Sequence, residues 1–149
     1  MLTVGKGGRN YALYVEDDPE DVELLKYTLD ELKIQIPIIH VRNGVEALNS
    51  LNDWRAAGQL PSIILIDINM AKMDGKETLL CLRADPEIAR IPILVLTVSR
   101  DKTDRTYFQR YDVPYVVKPG DVHRFRKDLR EALEKLLPYQ FQQDNQKIA

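Results

Sequence analysis

The feature that most constrains the fold is a regular alternation of short apolar segments with stretches of helical character. Residues 62–66 contain one serine and four large aliphatic residues, a composition typical of a strand buried on both faces of a parallel sheet. Comparable segments lie at residues 11–15, 37–41, 91–96 and 113–117. Because helical stretches separate these segments, the pattern predicts an α/β fold with helices on both faces of a parallel sheet.

Local signals predict the helices between the strands. Asp18 followed by Pro19 is typical of a helix start, because Asp caps free amide groups and Pro suits the first helical position. Apolar residues spaced three or four positions apart predict three of the helices. They are Val22, Leu25, Leu29 and Leu32 in the first helix, Val45, Leu48, Leu51 and Trp54 in the second, and Phe125, Leu129, Ala132, Leu133 and Leu136 in the last. The other two helices are expected near residues 77–84 and 100–111.

Composition and charge narrow the class of protein. A length of 149 residues suits one domain, and 44% hydrophobic with 30% charged residues is the balance of a globular protein. The net charge of −2 gives no support for nucleic-acid binding. The apolar segments are too short to cross a membrane, and the single cysteine, Cys81, suits a reducing compartment. We therefore expect one cytoplasmic domain over residues 1–149, with its core at about 11–137 and a tail at 138–149.

Reactive side chains stand at the carboxyl ends of four predicted strands. Glu16 and Asp17 follow the first strand, Asp67 the third, Thr97 the fourth and Lys118 the fifth. In open α/β sheets these strand ends lie at one edge, where ligands bind. Three carboxylates placed close together repel one another, and a divalent cation removes that repulsion. Oxygen ligands without sulfur or imidazole favour Mg²⁺.

The same residues suit the chemistry of an aspartyl phosphate. Phosphoryl transfer depends on positioning and charge neutralisation more than on covalent help from the protein. Asp67 could act as the nucleophile at the metal. Lys118 could neutralise one phosphoryl oxygen, and Thr97 could donate a hydrogen bond to another.

The motifs around these residues resemble those of response-regulator receiver domains from two-component signalling systems. Each motif is weak by itself, but five in this order at strand ends are specific. They are Tyr-Val-Glu16-Asp17-Asp18, Ile-Asp67-Ile-Asn69-Met, Met73-Asp74-Gly75, Leu-Thr97-Val-Ser99 and Val-Val-Lys118-Pro119. The resemblance implies a flavodoxin-like, doubly wound sheet of five strands in the order 2-1-3-4-5, with five helices.

The resemblance also implies a role for each acidic residue. Asp67 would be the phospho-acceptor, and Glu16 and Asp17 would be the acidic pair that binds Mg²⁺. Asp67 and the backbone carbonyl of Asn69 would complete the metal site. A sensor histidine kinase or a phosphotransfer protein would supply the phosphoryl group.

A further set of roles concerns the phosphoryl group after transfer. By the resemblance, Lys118 and Thr97 contact it, and Thr97 and Tyr115 form the switch that alters the surface. Pro119 would follow a cis peptide bond. The output would be a contact with another protein, including a second copy in a homodimer, and would involve neither nucleic acid nor membrane.

Three details refine or qualify the resemblance. The segment Asp85-Pro86-Glu87 and the long tail are similar to single-domain regulators that work with bacterial phytochrome-type histidine kinases. Ala71 replaces a proline that is usual after the phospho-acceptor, which should leave that loop more mobile. Gly120 stands after Lys118-Pro119 where an apolar residue is common, so the start of the last helix is expected to differ.

Two other functions fit parts of the pattern. A haloacid-dehalogenase-like phosphatase also has an aspartate nucleophile after a buried strand, but it requires a second acid where Asn69 stands. An adaptor that is never phosphorylated would keep the fold alone, yet it would have no reason to retain the reactive residues at the strand ends. We therefore expect a stand-alone phospho-acceptor for signalling, not an enzyme, with only slow self-phosphorylation and dephosphorylation.

Overall fold

Five parallel strands form a single sheet at the centre of the molecule. The structure is a computed structural model that describes residues 10–70 and 72–137. The order of the strands is β2-β1-β3-β4-β5, which confirms the expected doubly wound topology. The strands are β1 (Ala12–Val15), β2 (Ile38–Val41), β3 (Ile63–Ile66), β4 (Ile93–Thr97) and β5 (Tyr115–Val117).

Helices connect the strands and cover both faces of the sheet. Within the described part of the chain, no helix has the length and apolar character needed to cross a membrane. Asp18 caps the first helix and Pro19 begins it, as predicted. The helices are α1 (Pro19–Glu31), α2 (Gly44–Ala56), α3 (Gly75–Ala84), α4 (Lys102–Arg110) and α5 (Val122–Leu136), with a short 3₁₀ helix (Ile88–Arg90) before β4.

Alternate residues of the central strands supply two apolar layers. Leu13 and Ile64 belong to the layer that includes residues of α2, α3 and α4. Tyr14 and Leu65 belong to the opposite layer, with residues of α1 and α5. All four residues of β3 are buried, as expected for a strand covered on both faces.

Prolines shorten two of the predicted strands. The second strand begins at Ile38 instead of residue 37, and the fifth begins at Tyr115 instead of residue 113. Pro37 and Pro114 have no N–H to donate to a ladder, and they contribute only their carbonyl oxygens to the neighbouring strands. The Val113 N–H instead donates to the Phe108 carbonyl at the end of α4.

The predicted apolar face of α2 was wrong in one residue. Val45 is 42% exposed, and the buried residues of this helix are Gly44, Ala47 and Leu51. Gly44 has no room for a Cβ atom, because Thr78 of α3 occupies that space. The two helices therefore meet at Gly44, and the next residue along the helix, about 100° further round, is turned to solvent.

Candidate functional site

The residues predicted to react meet at the carboxyl edge of the sheet. Glu16 and Asp17 follow β1, Asp67 follows β3, Thr97 ends β4 and Lys118 follows β5. Four of these side chains are buried, and Asp17 alone of the five is exposed. The strand order reverses between β1 and β3, so the site lies at the switch point where such sheets bind ligands.

The ammonium of Lys118 is the cation at the centre of this site. Its Nζ atom donates hydrogen bonds to Glu16 Oε2 at 2.5 Å and to Asp21 Oδ2 at 3.0 Å. Asp67 Oδ2 lies 3.6 Å from the same nitrogen. The side chain of Lys118 is only 3% exposed, so water screens these interactions little.

The carboxylates form a group that suits a divalent cation. Glu16, Asp17 and Asp67 each offer one oxygen, and these oxygens lie within 4.8 Å of one another. An all-oxygen donor set fits a hard cation such as Mg²⁺. Asp17 and Asn69 both line a cavity of about 450 Å³. The metal-binding role of the Asn69 carbonyl stays a prediction.

Burial and crowding change the acidity of the central groups. The pKa of Glu16 is raised to about 7, because desolvation and the charge of Asp67 together outweigh the opposing hydrogen bond and charge of Lys118. Desolvation lowers the pKa of Lys118, but the hydrogen bond that it donates to Glu16 and the charge of Asp67 outweigh this effect and hold the pKa above its usual value. Burial also raises the pKa of the Tyr14 hydroxyl, which lies beside Glu16.

The backbone after β3 fixes the position of Asp67. The Asp67 N–H donates to the Val15 carbonyl, and the Ile68 N–H donates to Asp67 Oδ1 at 2.8 Å. The chain then turns back, and the Gly75 N–H donates to the Ile68 carbonyl. A Cβ atom at Gly75 would collide with the backbone of Asp67 and Ile68, so only glycine allows α3 to begin this close to Asp67.

The two predicted switch residues are joined through Ser99. The Ser99 N–H donates to Thr97 Oγ1 at 3.2 Å, and the Tyr115 hydroxyl donates to the Ser99 carbonyl at 2.8 Å. Tyr115 is half-buried, with the guanidinium of Arg105 over its ring. A movement of Thr97 would therefore disturb the same residue that holds Tyr115.

The ion pair between Asp104 and Lys76 also holds Ser99, through the Ser99 hydroxyl. The Ser99 hydroxyl donates to Asp104 Oδ2 at 2.6 Å, and Asp104 Oδ1 lies 2.7 Å from Lys76 Nζ. The hydrogen bonds from Lys76 and Ser99 lower the pKa of Asp104. Lys76 is in the first turn of α3 and Asp104 in the first turn of α4, so the pair links two helices beside the site.

Two residues at the site were missed by the sequence reasoning. Asp21, four residues after Asp17, contacts Lys118, and that helical spacing was the signal that both acids lie on one side of the helix start. The second residue is His40 of β2, whose Nε2 atom lies 2.5 Å from the backbone carbonyl of Glu16. No local signal indicates that contact, because it depends on how β2 aligns with β1.

Some expectations from the resemblance have a different outcome. The described residues contain no cis peptide bond, so the prediction of a cis peptide bond before Pro119 was wrong. Ala71 and the tail at 138–149 lie outside the described residues. At Gly120, the guanidinium of Arg100 lies 2.8 Å from where a Cβ atom would be, so the absence of a side chain lets Arg100 approach the loop before α5.

Comparison with known proteins relates the chain to one protein family. The family model of the response regulator receiver domain matches residues 12–130. The chain is 34% identical to the response regulator Rcp1 of Synechocystis sp. over 94 residues, which is 62% of this chain and 64% of Rcp1. The matched region therefore spans less than two thirds of the length of that relative.

Solved structures resemble the whole sheet and its helices. The phosphorylated cyanobacterial phytochrome response regulator RcpA is 28% identical with a TM-score of 0.74, over 87% of this chain and 94% of RcpA. The Mn²⁺-bound form of Rcp1 is 27% identical with a TM-score of 0.70, over 85% of this chain and 93% of Rcp1. These matches agree with the resemblance drawn from the motifs at the strand ends.

Proposed function

The chain belongs to the family of response regulator receiver domains, and on that premise we propose that it accepts a phosphoryl group on Asp67. The donor is a sensor histidine kinase or a phosphotransfer protein, and the metal is Mg²⁺ held by Glu16, Asp17 and Asp67. The observation that carries this proposal is the position of Asp67, whose Oδ2 atom lies 3.6 Å from the buried ammonium of Lys118. Glu16 also combines this neighbour with a place in the group of three acids, but its Oε2 atom already accepts a hydrogen bond from Lys118 at 2.5 Å, whereas Asp67 Oδ2 does not.

The transfer forms one bond and breaks one bond. A carboxylate oxygen of Asp67 attacks phosphorus in line with the leaving nitrogen of phosphohistidine, so a P–O bond forms as the P–N bond breaks. The electron pair of the P–N bond returns to the imidazole of the partner. The hydrogen bond from the Ile68 N–H to Oδ1 holds the carboxylate in a fixed orientation during this step.

A bound Mg²⁺ would neutralise charge on the phosphoryl oxygens and let them approach the acidic site. Glu16, Asp17 and Asp67 would hold it, together with the backbone carbonyl of Asn69. The Mn²⁺-bound form of Rcp1 supports the choice of a divalent cation, since that relative shares the fold. Lys118 supplies the remaining positive charge at the site.

After transfer, the chain's own donors bind the new phosphoryl group. Lys118 balances one phosphoryl oxygen, and the Thr97 hydroxyl donates to another. To do so, the Thr97 hydroxyl must move away from the Ser99 N–H that it now accepts from. Because Ser99 also holds the hydroxyl of Tyr115, this movement changes the surface formed by α4, β5 and α5.

Hydrolysis resets the protein. Water attacks phosphorus, the bond to Asp67 breaks, and inorganic phosphate leaves with the free carboxylate regenerated. We propose that this chemistry is slow and serves signalling, in the cytoplasm, where kinases have ATP. The output is a contact with a protein or a second copy of the chain, without nucleic acid. The similarity to RcpA supports a phytochrome-type kinase as the donor.

The test is the labelling of Asp67. We expect acetyl phosphate with Mg²⁺ to give a slower band for the wild type on a Phos-tag gel, with a label that hydroxylamine removes. Asp67→Asn should lose this label completely and stay folded, whereas Asp53→Asn, on the exposed side of α2, should be labelled normally. Labelling of Asp67→Asn at the wild-type level would contradict the assignment. Multiple turnover of a generic phosphate ester would instead indicate a phosphatase.

A further inference from the structure

Asp21 is an acid at the site to which the motifs of the family assign no role. It lies in the first turn of α1, with Oδ2 3.0 Å from Lys118 Nζ. Its side chain is 27% exposed and that of Lys118 is 3% exposed, so Asp21 covers the ammonium on the side of α1. The two residues are 97 positions apart, so the contact is made by the fold and not by local sequence.

The hydrogen bonds of Lys118 are distributed unevenly among its neighbours. An ammonium has three N–H donors. Glu16 and Asp21 accept from it at 2.5 and 3.0 Å, whereas the distance of 3.6 Å to Asp67 is too long for a hydrogen bond. The ammonium is therefore held by two acids that do not receive the phosphoryl group. A phosphoryl oxygen that binds Lys118 has to compete with them for its charge.

We propose that Asp21 is a positioning residue that holds the Lys118 ammonium toward α1 and limits the charge available to a phosphoryl group on Asp67. This inference rests on the proposed function, because it concerns phosphoryl capture. Asp21 also adds a negative charge next to the group of three acids that suits a divalent cation. The carboxylate of Asp21 thus favours binding of the cation and disfavours binding of the phosphoryl dianion.

The variant Asp21→Asn separates these two effects, because it keeps the size of the side chain and an accepting oxygen but removes the charge. We expect its affinity for Mg²⁺ to be weaker by about two- to fivefold. We expect beryllofluoride, at saturating Mg²⁺, to bind about three- to tenfold tighter, and labelling by acetyl phosphate to accelerate by a similar factor. Isothermal titration of the full chain with MgCl₂ and then with beryllofluoride measures both affinities.

The opposite directions of the two changes are the signature of this role. A residue that only supports the fold would weaken both affinities when changed. The matched control is Glu20→Gln, which removes a charge from the same helical turn at a side chain that is exposed and is not hydrogen-bonded to Lys118. This control should stay within about twofold of the wild type, and Asp21→Glu, which keeps the charge, should stay close to it as well. Asp21→Ser is a second uncharged variant with the same expectation as Asp21→Asn.

Parallel loss of both affinities, no change in either, or the same response from Glu20→Gln would overturn the role of Asp21. These outcomes differ from failure of the proposed function. If the wild type is labelled on Asp67 and Asp21→Asn behaves like it, only the positioning role is lost. If the wild type takes no label on Asp67, the proposed function is wrong, and the inference that depends on it is overturned as well.

Discussion

A single buried ammonium shares its site with several carboxylates. The resulting excess of negative charge affects the protonation of the residues around it. Lys118 has hydrogen bonds to Glu16 and Asp21 and lies near Asp67. Without a metal, the excess negative charge favours protonation of the most deeply buried acid. That acid is Glu16, whose pKa rises despite the neighbouring lysine, first because burial desolvates its carboxylate and second because Asp67 is charged.

Glu16 should make stability depend on pH in the absence of Mg²⁺. Its pKa is about 7 in the folded protein and 4.5 when solvated, so between these values the native state binds more protons than the unfolded state. The free energy of unfolding therefore falls as the pH rises through this window, by about 1–3 kcal/mol. Urea denaturation in EDTA from pH 4.5 to 8 measures the slope.

Glu16→Gln should flatten this slope, because the amide does not titrate. Glu23→Gln, which alters an exposed acid of α1, should leave the slope as in the wild type. Parallel curves for the wild type and Glu16→Gln would show that another group causes the dependence.

The reactive residues could be predicted individually, but their contacts could not. Asp67, Thr97 and Lys118 are identified by their positions at the ends of apolar segments. The bond from Lys118 to Asp21 depends on how α1 lies against the sheet. That orientation comes from burial of α1 residues such as Leu25 and Leu29, which the periodicity indicates without giving an angle.

The helices next to the site differ in how firmly the sheet holds them. α4 buries only one residue, Phe108. Its first turn is attached instead by the ion pair between Asp104 and Lys76 of α3. The apolar pattern of α4 is weak, so the sequence predicted its ends only to within a residue or two. The predicted range was 100–111, and the observed helix is Lys102–Arg110.

Loss of this ion pair should loosen α4. Asp104→Asn removes the charge that Lys76 contacts and weakens the bond to the Ser99 hydroxyl. We expect faster amide hydrogen exchange in α4 and a loss of about 0.5–1.5 kcal/mol in the free energy of unfolding, since the pair is partly exposed. Hydrogen exchange followed by mass spectrometry measures the first quantity.

The matched control is Asp112→Asn, just beyond the end of α4. Asp112 has a φ of 55°, a conformation that asparagine tolerates well. This variant should exchange like the wild type. Unchanged exchange in Asp104→Asn would show that Phe108 alone is enough to hold the helix.

The segment Asp85-Pro86-Glu87 leads into a 3₁₀ helix that the sequence did not indicate. The resemblance linked it to one group of regulators, and no helix was predicted here. In the structure, Asp85 accepts from the amides of Glu87 and Ile88, and it also forms an ion pair with Arg55 of α2. The 3₁₀ helix is thus stabilised partly by a contact between distant residues, which short-range patterns do not contain.

For the whole molecule, the fold class followed from burial and the strand order from the resemblance. Strands covered on both faces must lie inside a sheet with helices on each side, which the apolar segment at 62–66 already required. Alternation alone leaves several strand orders open. The order observed places Glu16, Asp67 and Lys118 together, so the predicted chemistry and the topology support each other.

Mg²⁺ should stabilise the entire domain, because it binds only when the three acids are brought together by folding. With a dissociation constant near 1 mM, 10 mM Mg²⁺ should raise the melting temperature by about 3–5 °C. Calorimetry with and without MgCl₂, with NaCl matched for ionic strength, tests this. Asp17→Asn should respond much less. An unchanged wild-type melting curve at Mg²⁺ concentrations that support phosphorylation would contradict the metal site.

Transmission from the site to the surface is also a property of the whole molecule. We expect beryllofluoride to change self-association or partner affinity by about 1–3 kcal/mol in the wild type. Thr97→Ala should still take a label on Asp67 but transmit much less of this change, whereas Thr97→Ser, which keeps the hydroxyl, should transmit it. Sedimentation velocity on each protein measures the response. Equal responses from the wild type and Thr97→Ala would refute the switch while leaving the phospho-acceptor role intact.

The hydrogen bond between Lys118 and Glu16 joins positions that are 102 residues apart. During synthesis on the ribosome, Glu16 emerges about 5–20 s before Lys118, at ordinary rates of translation. In the second half of that interval the nascent chain already contains Asp67 but lacks the ammonium beside it. A chain that is released early or cut before Lys118 lacks this cation altogether. The contacts that Lys118 makes with Glu16 and Asp21 therefore form only after translation has passed the fifth strand, so the acids of the site stay without their cation until late in synthesis.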